Sequence, residues 1–164
     1  IEVLDALELT DLVCTIDGLS AVGAAAILAE AGDPARFDCA RTWVKHAGLC
    51  PRANESGTFT GQTKTSRRGR PGLLSPPAAS SPGAGRPGLR LAAWRAVWGA
   101  LHHNPVYAAR YTHLRTRTDN PLRDGQARAA IAAALLRQLF VVVTHRVAWD
   151  PAIAAGREVT PLAA

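Results

Sequence analysis

The stretch that decides the fold is Ile16-Asp17-Gly18-Leu19-Ser20-Ala21-Val22-Gly23, which runs on into Ala24–Glu30. Before it, Val3, Leu4, Leu7, Leu12 and Val13 recur near helical spacing, so a short helix is expected over residues 3–13. After it, an Ala-rich helix is expected from about Ala21 to Ala31, stopped by Gly32-Asp33-Pro34. Helix, tight glycine turn, helix is the order of a helix-hairpin-helix, and an ordinary αα-corner with glycine at its tight position reads the same way. The distinction matters chemically. A hairpin of this kind presents free backbone N–H groups at a helix N-terminus, and these hold phosphate oxygens without reading bases. Asp17, beside the turn, would repel a phosphate and favours the plain corner.

Working outward, a third helix is expected from Cys39 to Ala47, ending at Gly48. Leu49–Gly61 shows no periodicity and is dominated by Pro, Asn, Ser, Gly and Thr, which predicts a loop. Residues 69–88 read as a flexible Pro/Gly/Ser/Ala linker. Gly-Arg-Pro-Gly-Leu occurs at Gly69–Leu73 and again at Gly85–Leu89, which marks an insert at about 70–85 bounded by a short duplication. Such a composition buries too little surface to offset its ordering entropy, so the insert is expected to be disordered. Helical patterns then return over 89–102, with Leu91, Trp94, Val97, Trp98 and Leu101 on the expected inner face, over 105–115, and over 126–146. The expected class is all-α: a helix-hairpin-helix-like N-terminal part, a loop, and a small helical bundle. One domain covers 1–145, interrupted by the insert, and an irregular tail covers 146–164.

Composition excludes several classes. Of 164 residues, 48% are hydrophobic and 20% charged, a globular balance. Uninterrupted apolar runs fall well short of the roughly 20 residues that cross a bilayer, so no membrane association is expected. No basic-then-apolar leader opens the chain, and three cysteines at irregular spacing do not suggest a disulfide framework, so a cytoplasmic location is expected. The chain contains no Met, even at position 1, and is expected to be a piece of something longer. Charge divides unevenly. Residues 1–62 carry nine acids and four bases, whereas residues 63–164 carry four acids and fifteen bases. A basic half of this size suggests a polyanion partner. All but Lys45 and Lys64 of these bases are Arg, which Arg-, Ala- and Gly-rich usage from a GC-rich genome also explains.

Few residues carry obvious chemistry. In Gly48-Leu49-Cys50-Pro51-Arg52-Ala53-Asn54-Glu55-Ser56-Gly57-Thr58 a serine sits beside glycine in an expected loop, where a substrate can approach closely. Lys64, Arg67 and Arg68 follow and could stabilise charge developing on a phosphate. Most Ser-Gly pairs are simply turns. Cys39, His46 and Cys50 are too few and too widely spaced for a zinc site and read as buried or neutral residues. His102, His103 and His113 read as helix-surface residues, and Trp94 and Trp98 as core rather than a base-stacking platform. No cluster of carboxylates suited to a metal is evident, and no Gly-rich phosphate loop precedes a lysine and a hydroxyl.

Taken together, three segments resemble a known family: IDGLSAVGAAAILAEAGDPARF (16–37), VKHAGLCPRANESGTFTGQTKTSRRG (44–69) and LRLAAWRAVWGALHHNPVYAARY (89–111), followed by a long final helix. The order is similar to that of the C-terminal domain of the serine-and-DEDD insertion-sequence transposases, the RNA-guided bridge recombinases related to the site-specific invertases of pilin genes. The resemblance covers about residues 10–145 without the insert, and its most specific part is Ala47-Gly48-Leu49-x-Pro51 followed by Ser56-Gly57. It implies that Ser56 is the nucleophile on DNA phosphorus. It implies backbone contacts to DNA at Gly18, Ser20 and Gly23, and a basic stretch at Lys64, Arg67 and Arg68. The family's second hairpin glycine is Ser20 here, and the proline that often precedes the first is Asp17.

The same resemblance implies partners. Family members work on DNA as oligomers with a guide RNA, and four acidic residues of an N-terminal RuvC-like domain bind Mg²⁺. That domain is not in this sequence, so no metal site is expected within it. The expected function is therefore part of a DNA transposase that cleaves and joins strands through a serine. A non-enzymatic helix-hairpin-helix DNA-binding module and an inactive remnant of a mobile element are the rival readings.

Overall fold

The computed structural model describes residues 2–56, 59–65 and 86–154. The architecture is all-α, organised on helix α7 (Asp124–His145). Residues 131–136 are buried in unbroken succession, and Leu139, Phe140 and Val142 continue the buried surface. A helix that is buried on consecutive positions must be surrounded, because successive side chains point about 100° apart. The surroundings are α2 (Thr10–Cys14), α4 (Ala40–His46), α5 (Pro87–His103) and α6 (Pro105–Thr116), all of which pack on α7. At 22 residues α7 is long and apolar enough to cross a bilayer by length and composition, despite Arg128 and Arg137. Its apolar side chains are the core of this bundle, and 61% of its most apolar stretch is buried among the other helices.

The expected helix over 3–13 is two helices, α1 (Glu2–Ala6) and α2, broken where Glu8 takes a φ of 55°. Leu4, Leu9 and Val13 are all buried. On one continuous helix Leu9 would sit roughly 140° around the axis from Leu4, so the break is what lets both face inward. Val3 and Leu7, expected on the inner face, are exposed instead. Helix α3 (Ala21–Ala31) has the expected bounds. A 3-10 turn at Pro34–Arg36 leads to α4, whose end is set by Gly48 at φ 72°, a conformation that favours glycine.

Two further expectations are corrected. The segment read as a loop contains an antiparallel hairpin, β1 (Pro51–Ser56) and β2 (Phe59–Thr65). No apolar alternation advertises it, because its residues are mostly polar. Thr60, Thr63 and Thr65 are the strand formers that the periodicity argument passes over. In α5 the buried residues are Leu89, Ala93, Val97 and Ala100, while Leu91 and Trp98 are about half exposed. The helix turns its small residues inward because α3 lies close against it.

The chain after α7 is less irregular than its composition suggests. Trp149 is buried, its backbone N–H donates to Thr15 Oγ1 at 2.8 Å, and its ring packs on Tyr107. A short helix α8 (Pro151–Ala154) follows. The expected insert at 70–85 lies outside the described residues, as do Gly57, Arg67, Arg68 and residues 155–164. On the far side of the insert the chain rejoins the bundle beside α4: the Arg86 N–H donates to the His46 carbonyl at 2.7 Å, and the Arg86 guanidinium pairs with Glu30 at 3.2 Å.

Candidate nucleic-acid interface

The turn between α2 and α3 is built as the sequence suggests, and then held from outside. Gly18 has a φ of 82°, so a side chain there would be strained. Ser20 caps α3, its hydroxyl accepting the Gly23 N–H at 3.1 Å. Asn104, buried at the junction of α5 and α6, donates its side-chain amide to the Asp17 carbonyl at 3.1 Å. Gly18 itself lies against the backbone of Gly99 in α5. Of the three residues named here for DNA contact, Ser20 is exposed, the Gly23 amide is already taken by Ser20, and Gly18 faces α5. The first amides of any α-helix have no intrahelical partner, so the remaining donors at this turn are those of the first turn of α3.

Beside the turn runs a groove of about 590 Å³ between α3 and α5, lined by Ser20, Val22, Gly23, Leu91, Arg95 and Gly99 among others. Arg95 is exposed and brings a guanidinium to the same groove as the α3 N-terminus. The sequence reading missed it, and no local pattern could have found it. Its place beside Ser20 depends on the α3–α5 packing alone.

The second part of the site is the hairpin. Ser56 is the last residue of β1 and pairs with Phe59, so the serine closes the far end of the ladder. At the near end Arg52 stands opposite Lys64, with an irregularity between Arg52 and Asn54. The register therefore separates two residues that sequence proximity suggested as partners. Lys64 lies five positions along β2 from Phe59, roughly 17 Å from the level of Ser56. Lys64 belongs to the root of the hairpin rather than its tip.

Residues 10–75 match the Transposase IS116/IS110/IS902 family. The match begins at α2 and includes both the Gly18–Gly23 turn and the hairpin that ends β1 at Ser56. It supports a transposase fragment as the coarse reading of the chain and, through the family, an interaction with DNA. No curated protein matches the chain.

Other candidates from the sequence are placed differently from what was expected. Trp98 is exposed rather than core, and the Arg128 guanidinium lies 4.0 Å from the centre of its ring. Cys39 is exposed at the N-terminus of α4, where a contact with the Thr42 hydroxyl at 3.4 Å lowers its thiol below the usual range. His46 is half-buried against Phe37, and burial, followed by the charges of Arg36 and Arg86, pushes its pKa down. Among the described residues no three His, Cys, Asp or Glu side chains come together.

Proposed function

We propose that this chain is the serine-bearing part of a DNA transposase, with Ser56 as the nucleophile. The observation that carries the reading is that a single family match spans both the α2–α3 turn and the Ser56 hairpin. The geometry agrees with a division of labour. The turn, with Arg95 beside it, offers backbone donors and a cation to a phosphate backbone. Ser56 is the last residue of β1, paired in register with Phe59, and is next to Gly57 in the sequence, where bulk is least.

In the proposed step the Ser56 oxygen forms a bond to a backbone phosphorus, and the bond from that phosphorus to a deoxyribose oxygen breaks. The serine proton passes to a base and the leaving oxygen gains a proton. The product is a phosphoserine ester that a second strand's hydroxyl can reverse, which is covalent catalysis. Serine is a weak nucleophile at its own pKa, so activation comes from outside this chain. The proposed source is the acidic, Mg²⁺-binding RuvC-like domain that the family carries, with a guide RNA and further copies of the protein as partners.

The test joins this chain to such a domain, supplies guide RNA, Mg²⁺ and two DNA segments, and looks for a protein–DNA adduct on a denaturing gel. Wild type should give an adduct that Ser56→Ala abolishes while DNA binding persists. An adduct and recombined DNA from the alanine variant would remove Ser56 from the mechanism. Binding without any adduct from wild type would favour the non-enzymatic module.

A further inference from the structure

Of the tryptophans, Trp43 and Trp149 are buried, Trp94 is half-buried, and Trp98 on α5 is 55% exposed. Trp98 is also a ring that other side chains hold in place. The Arg128 guanidinium lies 4.0 Å from its centre, so a cation covers one face of the indole. An exposure of 55% then leaves the opposite face to solvent. Arg128 is itself fixed by its pair with Asp124, at 3.1 Å and one turn back on α7. Asp124 in turn accepts the Tyr111 hydroxyl from α6, and the same phenol oxygen accepts a bond from Arg115 at 3.4 Å. Side chains from α6 and α7 thus set the orientation of one exposed ring on α5.

Core packing does not account for this arrangement. The ring lies outside the core, to which α5 contributes Leu89, Ala93, Val97 and Ala100. An apolar face of this size left in water is unfavourable, and a ligand that covers it recovers that free energy. The surroundings select the ligand. Arg95, three residues before Trp98, is exposed on the same side of α5, since positions three apart are neighbours on a helix. With Arg115 and Arg128 it frames the indole in cations, and the one acid of the network, Asp124, is already engaged. Arg95 also lines the groove beside Ser20, which makes the aromatic face continuous with the α3 turn. An open aromatic face framed by arginines fits a strand whose flat bases are free to stack while its phosphates meet the cations. A base inside a duplex has no free face to offer, because its neighbours cover both.

We propose that Trp98, backed by Arg128, is a stacking platform for an unpaired nucleobase of a single-stranded segment. The proposal rests on the nucleic-acid reading above for the identity of the polymer, and adds to it a contact that favours single strands over duplex. Trp98 touches the base, and Arg95 and Arg115 are placed to meet the phosphates on either side of it. Arg128, Asp124 and Tyr111 are positioning residues: they hold the indole before the strand arrives, so less side-chain freedom is lost on binding. Single-stranded DNA and RNA share this chemistry, and separate probes distinguish them.

The experiment titrates the 164-residue chain with four short labelled probes: single-stranded DNA, single-stranded RNA of the same sequence, a DNA strand of abasic sites, and a DNA duplex. Wild type, Trp98→Leu and Trp98→Phe are compared at several salt concentrations. Wild type should hold a base-bearing strand more tightly than the abasic one, and Trp98→Leu should remove the difference. That variant should bind the base-bearing strand about 5- to 150-fold more weakly, the usual worth of one stacked base, and bind duplex as wild type does. Its slope of log affinity against log salt should not change, since no phosphate contact is lost. Trp98→Phe, which keeps an aromatic face, should lie between the two. Binding should also quench the indole fluorescence of wild type and quench Trp98→Phe less. A loss on either single strand bears out the platform and names the strand it serves. Wild-type affinity retained by Trp98→Leu, or equal affinity of wild type for abasic and base-bearing strands, would overturn it. A fall in melting temperature in both variants with affinity unchanged would assign Trp98 to packing instead. Absence of binding by wild type to every probe would sink the nucleic-acid reading, and the platform with it.

Discussion

Gly18 in the α2–α3 turn and Gly99 in α5 touch backbone to backbone: a Cβ on Gly18 would collide with the Gly99 carbonyl and fall 2.8 Å from the Ala100 Cα, and a Cβ on Gly99 would collide with the Gly18 carbonyl. This contact lets α3 and α5 pack through small residues and seats the turn on the bundle. Gly18→Ala should therefore cost about 2–4 kcal/mol, from its positive φ and from overpacking. Gly99→Ala should also destabilise, even though alanine is the better helix former by about 1 kcal/mol, because the clash outweighs propensity. Gly125, in the first turn of α7, meets nothing within 4 Å, so Gly125→Ala should be neutral or stabilising by up to about 1 kcal/mol. Urea denaturation of the three variants checks the contrast. Equal effects at Gly99 and Gly125 would refute the close contact.

Asn104 binds the same turn from the other side. It donates to the Asp17 carbonyl, and its side-chain oxygen caps α6 by accepting the Val106 N–H at 3.0 Å and the Tyr107 N–H at 3.4 Å. Asn104→Ala should lose about 2–3 kcal/mol, combining a lost cap with buried groups left unpaired. Asn104→Ser, which keeps a capping oxygen but does not reach Asp17, should fall between alanine and wild type. A melting series that places serine no better than alanine would show that the cap contributes nothing.

Asp124 at the start of α7 accepts a hydrogen bond from the Tyr111 hydroxyl and pairs with Arg128 at 3.1 Å. The Tyr111 bond, followed by that from Arg128, holds its carboxyl below the usual range. A carboxyl depressed on folding adds stability that is complete above its unfolded pKa of about 3.9 and is lost as pH falls through the lower, folded value. Stability should therefore decline on acidification through and below pH ~4. Tyr111→Phe should flatten that part of the decline and Asp124→Asn should flatten it further. The check is the melting temperature against pH; curves that stay parallel to wild type would exclude Asp124 as a contributor.

Deleting residues 70–85 should leave the melting temperature unchanged or raised. The segment is Pro-, Gly- and Ser-rich, and Arg86 resumes the bundle through its bond to the His46 carbonyl and its pair with Glu30, both of which the deletion keeps. A clear fall in melting temperature would show that the deleted residues pack against the bundle.

Local rules account for what was legible in the sequence. Helix α3 is bounded by its own capping serine and by a glycine stop, and α4 ends where Gly48 adopts a conformation most residues avoid. These features act over one or two turns, so they can be read without knowing the partner. The Ser56 loop and the glycine turn were legible as motifs for the same reason. The hairpin was not, because its strands are polar and are joined by backbone pairing that no apolar pattern records.

By itself the sequence determined that the chain is helical, where most helices begin and end, and that its second half is rich in cations. The tertiary structure alone decided which faces those helices use. Large residues at helical spacing suggested that Leu91 and Trp98 point inward, yet α5 turns Ala93, Val97 and Ala100 to the core, because Gly99 must meet Gly18. It also decided which charges meet. Arg86 pairs with Glu30, Arg95 reaches the α3 groove, and Lys64 stands away from the level of Ser56 along the ladder. Helical periodicity fixes side-chain directions around one axis but says nothing of how two axes approach. That approach is set by the volumes of residues far apart in the chain, and charges carried on different helices become neighbours only once it is made.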